Sequence, residues 1–188
     1  STTLPGELVA GSSKQGKLTV KAGGVVSNDI GLIGHNIGST GIATITGTGS
    51  QWNNVSVLVV SKEGNGTLNI ETGGVVSNTS GYIGHYIDST GTATITGTNS
   101  QWNNLSNLYV GRMGSGTLNV TAGGVVSNAN GYVGYDSDST GAVTVTGTDS
   151  QWNNSGPMFV GGDGAGALNV TGGGVVSNTH GYIGNSSG

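Results

Sequence analysis

The chain has 188 residues, of which 39 are glycine, 7% are charged and none is cysteine, and its formal net charge is −4. With five Lys and Arg residues and no long apolar run, it has neither the basic patch of a nucleic-acid-binding protein nor a segment that inserts directly into a membrane. The absence of cysteine excludes a disulfide framework and a thiolate metal site.

Two short phrases recur along the chain at a fixed interval of 50 residues. The first, GKLTVKAGGVVSN from Gly16, returns in closely similar form 50, 100 and 150 residues later. The second, SQWNN from Ser50, returns twice at the same interval. A fixed period of this size predicts stacked structural repeats. We expect residues 1–188 to form one segment of a longer array, with 50-residue units that begin near residues 1, 51, 101 and 151.

Each 50-residue unit is itself double. A short apolar segment such as Tyr109-Val110-Gly111 leads through a turn to an alternating segment such as TLNV, and the same order follows about 25 residues later. The glycines that bound these segments, such as Gly116, are interpreted as turn residues. Alternating apolar residues separated by Gly, Asn and Ser predict short strands and no helix. The equivalent aliphatic residues are spaced alternately by 23 and 27 positions: Ala10, Ile33, Val60, Ile83, Val110, Val133, Val160 and Ile183.

Strands this short bury an apolar side only when neighbouring coils cover it. We therefore predict an all-β fold, a right-handed parallel β-helix (solenoid) of about seven to eight coils, with about 25 residues and three short strands per coil. A left-handed hexapeptide solenoid would need a six-residue rhythm that the sequence lacks. The middle strand is expected to supply two inward columns: Leu18, Ala43, Leu68, Ala93, Leu118, Val143 and Leu168; and Val20, Ile45, Ile70, Ile95, Val120, Val145 and Val170.

Two further columns lie near the end of each coil. Asparagine occurs once per coil, which predicts an asparagine ladder at a tight turn, because asparagine tolerates left-handed backbone. Two positions earlier, Val26 is followed one coil later by Trp52, and valine and tryptophan alternate along the chain. Tryptophan in every second coil fits either ligand stacking or the filling of a wider coil. We favour the second interpretation, because large aromatic side chains dominate core burial.

The titratable residues do not converge on a catalytic or metal site. His35 and His85 occupy the same repeat position and are two coils apart, about 9–10 Å, which is too far to share one zinc ion. The turns with Asp88, Asp136 and Asp138 lack the ligand order of known calcium loops. We therefore predict no enzyme activity, no catalytic or metal-binding residues and no cofactor.

Three surface features remain as candidate binding regions. An outward column of aromatic residues is interpreted either as a ladder that stiffens the sheet or as an exposed binding stripe. The outer face of the middle strand is rich in threonine, and Lys21 and Glu71 interrupt it, which argues against an ice-binding array. The candidate residues are Tyr82, Tyr109, Tyr132, Phe159 and Tyr182 in the aromatic column, and His35, His85, Tyr86, Asp88, Tyr135, Asp136 and Asp138 in the variable long turns.

The repeat phrases GSQWNNVSVLVVSKEGNGTLNIETGGVVSN and DSQWNNSGPMFVGGDGAGALNVTGGGVVSN resemble the tandem repeats of bacterial autotransporter (type V secretion) passenger domains. The resemblance covers nearly the whole chain from about Gly6 and departs from the pattern before it, where QWNN would be expected. It implies a bacterial cell-surface or secreted passenger segment, usually an adhesin or an auto-aggregation factor. The implied partners are a host-cell protein or glycan, or like rods. The shared positions are core and turn residues, so the resemblance transfers no binding residues.

Two other functions fit the same repeats. A secreted ligand of a host-cell receptor predicts saturable binding of the purified rod to cultured cells. A passive stalk, which only holds another domain away from the cell, predicts that an unrelated solenoid of equal length can replace these coils without loss of activity.

Overall fold

The chain winds into a stack of parallel coils. A computed structural model describes residues 4–184, where it contains 21 β-strands and no helix, and therefore no helical segment able to cross a membrane. Each coil supplies three strands, and each strand pairs in parallel with its equivalents in the neighbouring coils. The predicted parallel β-helix of seven complete coils and the start of an eighth is thereby confirmed. The right-handed form stays a prediction, in keeping with the usual hand of parallel crossovers.

The strands form three ladders that run along the stack. The first contains β1 (Leu4–Ala10), the second half of β3 (Val25–Ile33), β6 (Val57–Val60), β9 (Ser80–Ile83), β12 (Leu108–Val110), β15 (Gly131–Val133), β18 (Met158–Val160) and β21 (Gly181–Ile183). The second contains β2 (Gln15–Lys21), β4 (Thr40–Thr46), β7 (Asn65–Glu71), β10 (Thr90–Thr96), β13 (Ser115–Thr121), β16 (Thr140–Thr146) and β19 (Ala165–Thr171). The third contains the first half of β3, then β5 (Gln51–Asn54), β8 (Val75–Asn78), β11 (Gln101–Asn104), β14 (Val125–Asn128), β17 (Gln151–Asn154) and β20 (Val175–Ser177).

The coils are in the register that the sequence period predicts. Coil 1 begins with β1, coil 2 with the second half of β3, coil 3 with β6, and so on to coil 8, which begins with β21. Ala10 pairs with Ile33, Ile33 with Val60, and the series continues to Ile183. In the inner coils these aliphatic side chains and the two columns of the second ladder form one continuous buried core. Ile183, in coil 8, is 85% exposed, since no later coil covers it within the described residues.

Coils of two lengths alternate because their turns differ. The first turn, between the first and second ladders, has six residues in even-numbered coils, as in 34–39, and four in odd-numbered coils, as in 61–64. The second and third turns of the even coils are each one residue longer. These extra residues account for the alternation of 27 and 23 in the sequence.

Tryptophan fills the interior of the even coils, as the second interpretation predicted. Trp102 is fully buried and lies between Val76 and Val126 of the adjacent coils. Its indole Nε1–H donates a hydrogen bond of 2.7 Å to Asn78 Oδ1, and Asn78 Nδ2 in turn donates one of 2.6 Å to Asn104 Oδ1. The same three-residue network recurs around Trp52 and Trp152. The ring therefore has its one polar atom satisfied inside the core.

The asparagine column differs from the predicted ladder in two respects. Side-chain bonds join asparagines in pairs, and the next link goes to a backbone carbonyl: Asn104 Nδ2 donates to Ser127 O at 3.3 Å. The prediction of left-handed backbone is wrong for the buried members Asn28, Asn54, Asn78, Asn104, Asn128 and Asn154. These residues end strands of the third ladder, whose extended backbone turns the amide inward. The left-handed positions lie in the turns, at residues such as Asp88 and Asn99.

One glycine column, interpreted from the sequence as turn residues, belongs to the strands instead. Gly116 is the second residue of β13 and faces inward against the backbone of the first turn. A Cβ atom there would overlap the amide nitrogen of Gly111 and the carbonyl oxygen of Ile83. Close approach of backbones thus requires glycine here. Equivalent glycines stand at Gly16, Gly41, Gly66, Gly91, Gly141 and Gly166.

Candidate binding surfaces

The long first turns project from one edge of the rod, at residues 34–39, 84–89 and 134–139 of coils 2, 4 and 6. Glycine or aspartate takes the left-handed backbone position in each of them, at Gly38, Asp88 and Asp138. All of the variable-turn residues selected from the sequence lie in these three turns: His35, His85, Tyr86, Asp88, Tyr135, Asp136 and Asp138. Whether they bind a partner stays a prediction.

The aromatic column of the first ladder is a stack of five rings. Neighbouring centroids are 4.7–5.2 Å apart, and the ring planes are within 10° of parallel. Both faces of each inner ring therefore contact the neighbouring rings, and only the ring edge points outward. This geometry is that of a cross-strand ladder, which stabilises the first ladder of strands.

The expectation that this column is exposed is wrong for four of its five rings. Tyr82, Tyr109, Tyr132 and Phe159 are partly buried, and only Tyr182 is exposed. Side chains from the first turns form a layer over three of these rings, Tyr82, Tyr109 and Tyr132. Tyr135 packs edge-on against both Tyr109 and Tyr132, at 5.3 and 5.0 Å. Burial consequently raises the pKa of the Tyr109 and Tyr132 hydroxyls.

A histidine and a basic residue of the next coil form the rest of this layer. Arg112 Nη1 donates to His85 Nε2 at 2.7 Å, and the guanidinium lies over the rings of Tyr82 and Tyr109 at 5.7 and 5.9 Å. The His85 ring packs on Tyr82 at 4.5 Å. Two coils earlier, Lys62 Nζ donates to His35 Nε2 in the same way, at 3.0 Å. His85 accepts from the guanidinium through Nε2, so its ring is neutral and carries its proton on Nδ1.

His85 makes the stability of this layer depend on pH. Burial first, and then the nearby charges of Arg112 and Lys62, lower the pKa of His85 from 6.5 to about 4. The unfolded chain therefore binds more protons than the folded chain between these values. The stabilisation that neutral His85 provides is complete above pH 6.5 and is lost as the pH falls towards 4.

We expect His85→Gln to reduce the loss of stability between pH 6.5 and pH 4, because glutamine still accepts from Arg112 and does not titrate. The measurement is the denaturant midpoint at several pH values. His180→Gln is the control, since His180 is exposed and bonded only to Thr179. Equal pH dependence in all three proteins would contradict the assignment.

Alternating turn lengths leave a groove along the edge that carries the long turns. The long turns of coils 2 and 4 stand on either side of the short turn of coil 3 and enclose a cavity of about 390 Å³. The long turns of coils 4 and 6 enclose a second cavity of about 510 Å³ over the short turn of coil 5. Ile87, Asp88 and Met113 line both cavities, so the two cavities are adjacent along the edge. The two together are called the edge groove.

The second ladder presents a flat polar face on another side of the rod. Outward residues from successive strands align in rows, for example Thr94, Asn119 and Thr144. Hydroxyl groups bond along the rows, as from Thr121 Oγ1 to Thr96 Oγ1 at 2.9 Å. From β10 to β19 no outward residue carries a charge. These strands form what is called the flat face.

Part of this arrangement was accessible from the sequence, and part was not. The sequence indicated correctly that the five aromatic residues align in one column. The layer over the aromatic column and the edge groove were missed. Both features nevertheless have a pattern in the sequence. The layer corresponds to basic residues that follow His35 and His85 at an interval of 27, and the edge groove corresponds to six-residue turns that alternate with four-residue turns. Within residues 4–184, no group of three or more His, Asp or Glu residues is placed to hold a metal ion.

No protein-family model matches this chain, and neither the search of curated proteins nor that of solved structures finds a match. The resemblance to autotransporter repeats accordingly rests on the repeat phrases quoted above. Because one fold serves many functions, the function has to be argued from the outer surfaces of this rod.

Proposed function

We propose that this chain is a rod segment of a bacterial autotransporter passenger, displayed at the cell surface or secreted, which acts in adhesion or auto-aggregation. The observation that carries the proposal is the flat face. Its aligned rows of threonine and asparagine offer uncharged polar groups at every coil, so that two rods can meet side by side at many similar positions.

The size of the flat face supports lateral contact. Four strands at about 4.8 Å spacing and about 23 Å length give the flat face an area of about 440 Å². A standard protein interface buries about 800 Å² per partner. One segment therefore provides a weak contact, and a longer array of the same coils would add to it.

The chemistry of the flat face also suits self-association. Uncharged hydroxyl and amide groups can be brought together without the desolvation cost of charges. Bonds such as those from Thr171 to Thr146 and from Thr140 to Ser115, at 3.0 and 2.9 Å, already restrict the side chains. Less conformational entropy then remains to be lost on association.

We expect the triple variant Thr94→Lys, Asn119→Lys and Thr144→Lys to abolish settling of bacteria that display the rod. Each rod would present three like charges to its neighbour, and such juxtaposition costs several kcal/mol. The three positions are outward and adjacent in one row, so the core is unchanged. The measurement is the loss of turbidity of a standing culture over time.

The matched control places the same three lysines off the flat face, at Thr48, Thr98 and Thr148 in the second turns, where all three threonines are exposed. This control should settle like the wild type. Settling by the flat-face variant at the wild-type rate would contradict the proposed contact. Saturable binding of that variant to cultured host cells would then favour a receptor ligand.

A further inference from the structure

The edge groove combines exposed apolar side chains with carboxylates. Ile37 and Ile87 project into solvent, 83% and 66% exposed, on the walls of the first cavity, and Tyr86 stands beside them. Large aliphatic side chains left open in this way are stabilised when a ligand covers them. We therefore expect a ligand of this groove to have an apolar surface.

The charge of the groove is of one sign. Glu63 and Asp88 line the first cavity, and Asp136, Asp138 and Asp163 line the second together with Asp88. No lysine or arginine lines either cavity. In the described chain the one salt bridge joins Arg112 to Asp136 at 4.0 Å, which leaves the other four carboxylates without a cationic partner there. A ligand that complements this lining is basic as well as apolar.

The spacing of the groove selects the conformation of such a ligand. Equivalent points in the two cavities are two coils apart, about 9.6 Å at 4.8 Å per coil. A polyproline II helix repeats every three residues and rises about 9.3 Å per turn. Side chains on one face of an extended strand recur about every 6.7 Å and would lose register with the cavities. Every third residue of a polyproline II segment can thus enter successive cavities.

We propose that the edge groove binds a polyproline II segment of a partner protein that carries Lys or Arg at every third position. The basic side chains lie between the carboxylates of successive turns, and the proline rings cover Ile37, Ile87 and Tyr86. The inference rests on the proposed function in so far as a surface rod meets partner proteins. It concerns a different side of the rod from the flat face.

The test is titration of the purified chain with a fluorescent peptide of five Pro-Pro-Lys repeats. A second peptide has the same composition, with its lysines in one block. We expect saturable binding of the first peptide, at least about fivefold tighter than binding of the second, because only the first matches the two-coil spacing. Equal affinities would mean a non-specific polycation effect and would overturn the proposal, as would the absence of binding.

Two chain variants with equal net charge locate the binding site. One neutralises the groove with Glu63→Gln, Asp88→Asn, Asp138→Asn and Asp163→Asn. The other neutralises four acids outside it with Glu7→Gln, Asp29→Asn, Glu71→Gln and Asp149→Asn. Both remove four negative charges, and asparagine tolerates the left-handed backbone of Asp88, Asp138 and Asp149.

We expect the groove variant to bind the Pro-Pro-Lys peptide about tenfold more weakly than the control variant, as the loss of several partly exposed ion pairs implies. Circular dichroism checks that both variants keep the fold, and the comparison of the two peptides does not depend on either variant. Equal binding by the two variants would overturn the proposal. Failure of peptide binding together with normal settling of the bacteria would overturn the peptide proposal and leave the proposed function intact.

If the groove variant loses settling and the control variant does not, the groove binds a second copy of the chain, and the peptide proposal is overturned.

Discussion

Trp102→Ala is expected to lower the free energy of unfolding by about 3–5 kcal/mol, the range for removal of a large aromatic side chain from a core. Trp102 is fully buried in the middle of the stack and packs against both neighbouring coils. Its loss leaves a cavity and deprives Asn78 Oδ1 of the hydrogen bond from the indole. The measurement is chemical denaturation followed by far-ultraviolet circular dichroism.

Two further variants separate the causes of that loss. Trp102→Phe keeps much of the ring volume but removes the Nε1–H donor, so it reports on the bond to Asn78. Leu105→Ala is the control, since Leu105 is 82% exposed in the third turn of the same coil and should change stability by less than about 0.5 kcal/mol. If Trp102→Ala lowers the free energy of unfolding no more than Leu105→Ala does, Trp102 is not a core residue.

Gly116→Ala is expected to destabilise the fold by about 3 kcal/mol, although it adds a single methyl group. The methyl would fall between the Gly111 amide and the Ile83 carbonyl, which form a backbone hydrogen bond of 2.8 Å. The neighbouring groups are backbone and have little room to move, so overpacking adds to the loss of a buried hydrogen bond. The measurement is again the denaturant midpoint.

Thr117→Ala is the matched control for the glycine variant. Thr117 is the next residue of the same strand and points outward, where alanine changes strand stability by less than about 1 kcal/mol. A tolerated alanine at position 116 would contradict the close approach of the strand to the first turn. It would also weaken the explanation of why glycine recurs at this place in every coil.

The fold could be predicted from the sequence because every coil has the same order of alternating apolar residues and turn residues. Alternation in GTLNV places Leu118 and Val120 on one side of a strand, and the 50-residue period places their equivalents one above another. Errors arose where a residue type has two physical uses. Glycine at 116 suggested a turn but serves close backbone packing, and asparagine at 104 suggested left-handed backbone but supplies a buried amide.

The candidate surfaces were harder to predict because they depend on contacts between coils and across turns. Alternation indicated correctly that Tyr109 points away from the core, but it carries no information on what a turn places above it. Arg112, a single basic residue in a short turn, covers two rings and binds His85 of the preceding coil. Such a contact joins residues 27 positions apart and has no local pattern.

The claim that one sequence half-period equals one coil is tested most directly by a distance along the rod. The chain has no cysteine, so Thr19→Cys and Thr144→Cys introduce unique sites for spin labels. These outward residues stand in one row, five coils apart, through successive pairing of β2, β4, β7, β10, β13 and β16. Pulsed electron paramagnetic resonance should give one narrow distribution centred near about 24 Å, five steps of 4.8 Å. A broad distribution, or one centred beyond about 35 Å, where the labels no longer lie five strand spacings apart, would contradict the stacked, in-register coils.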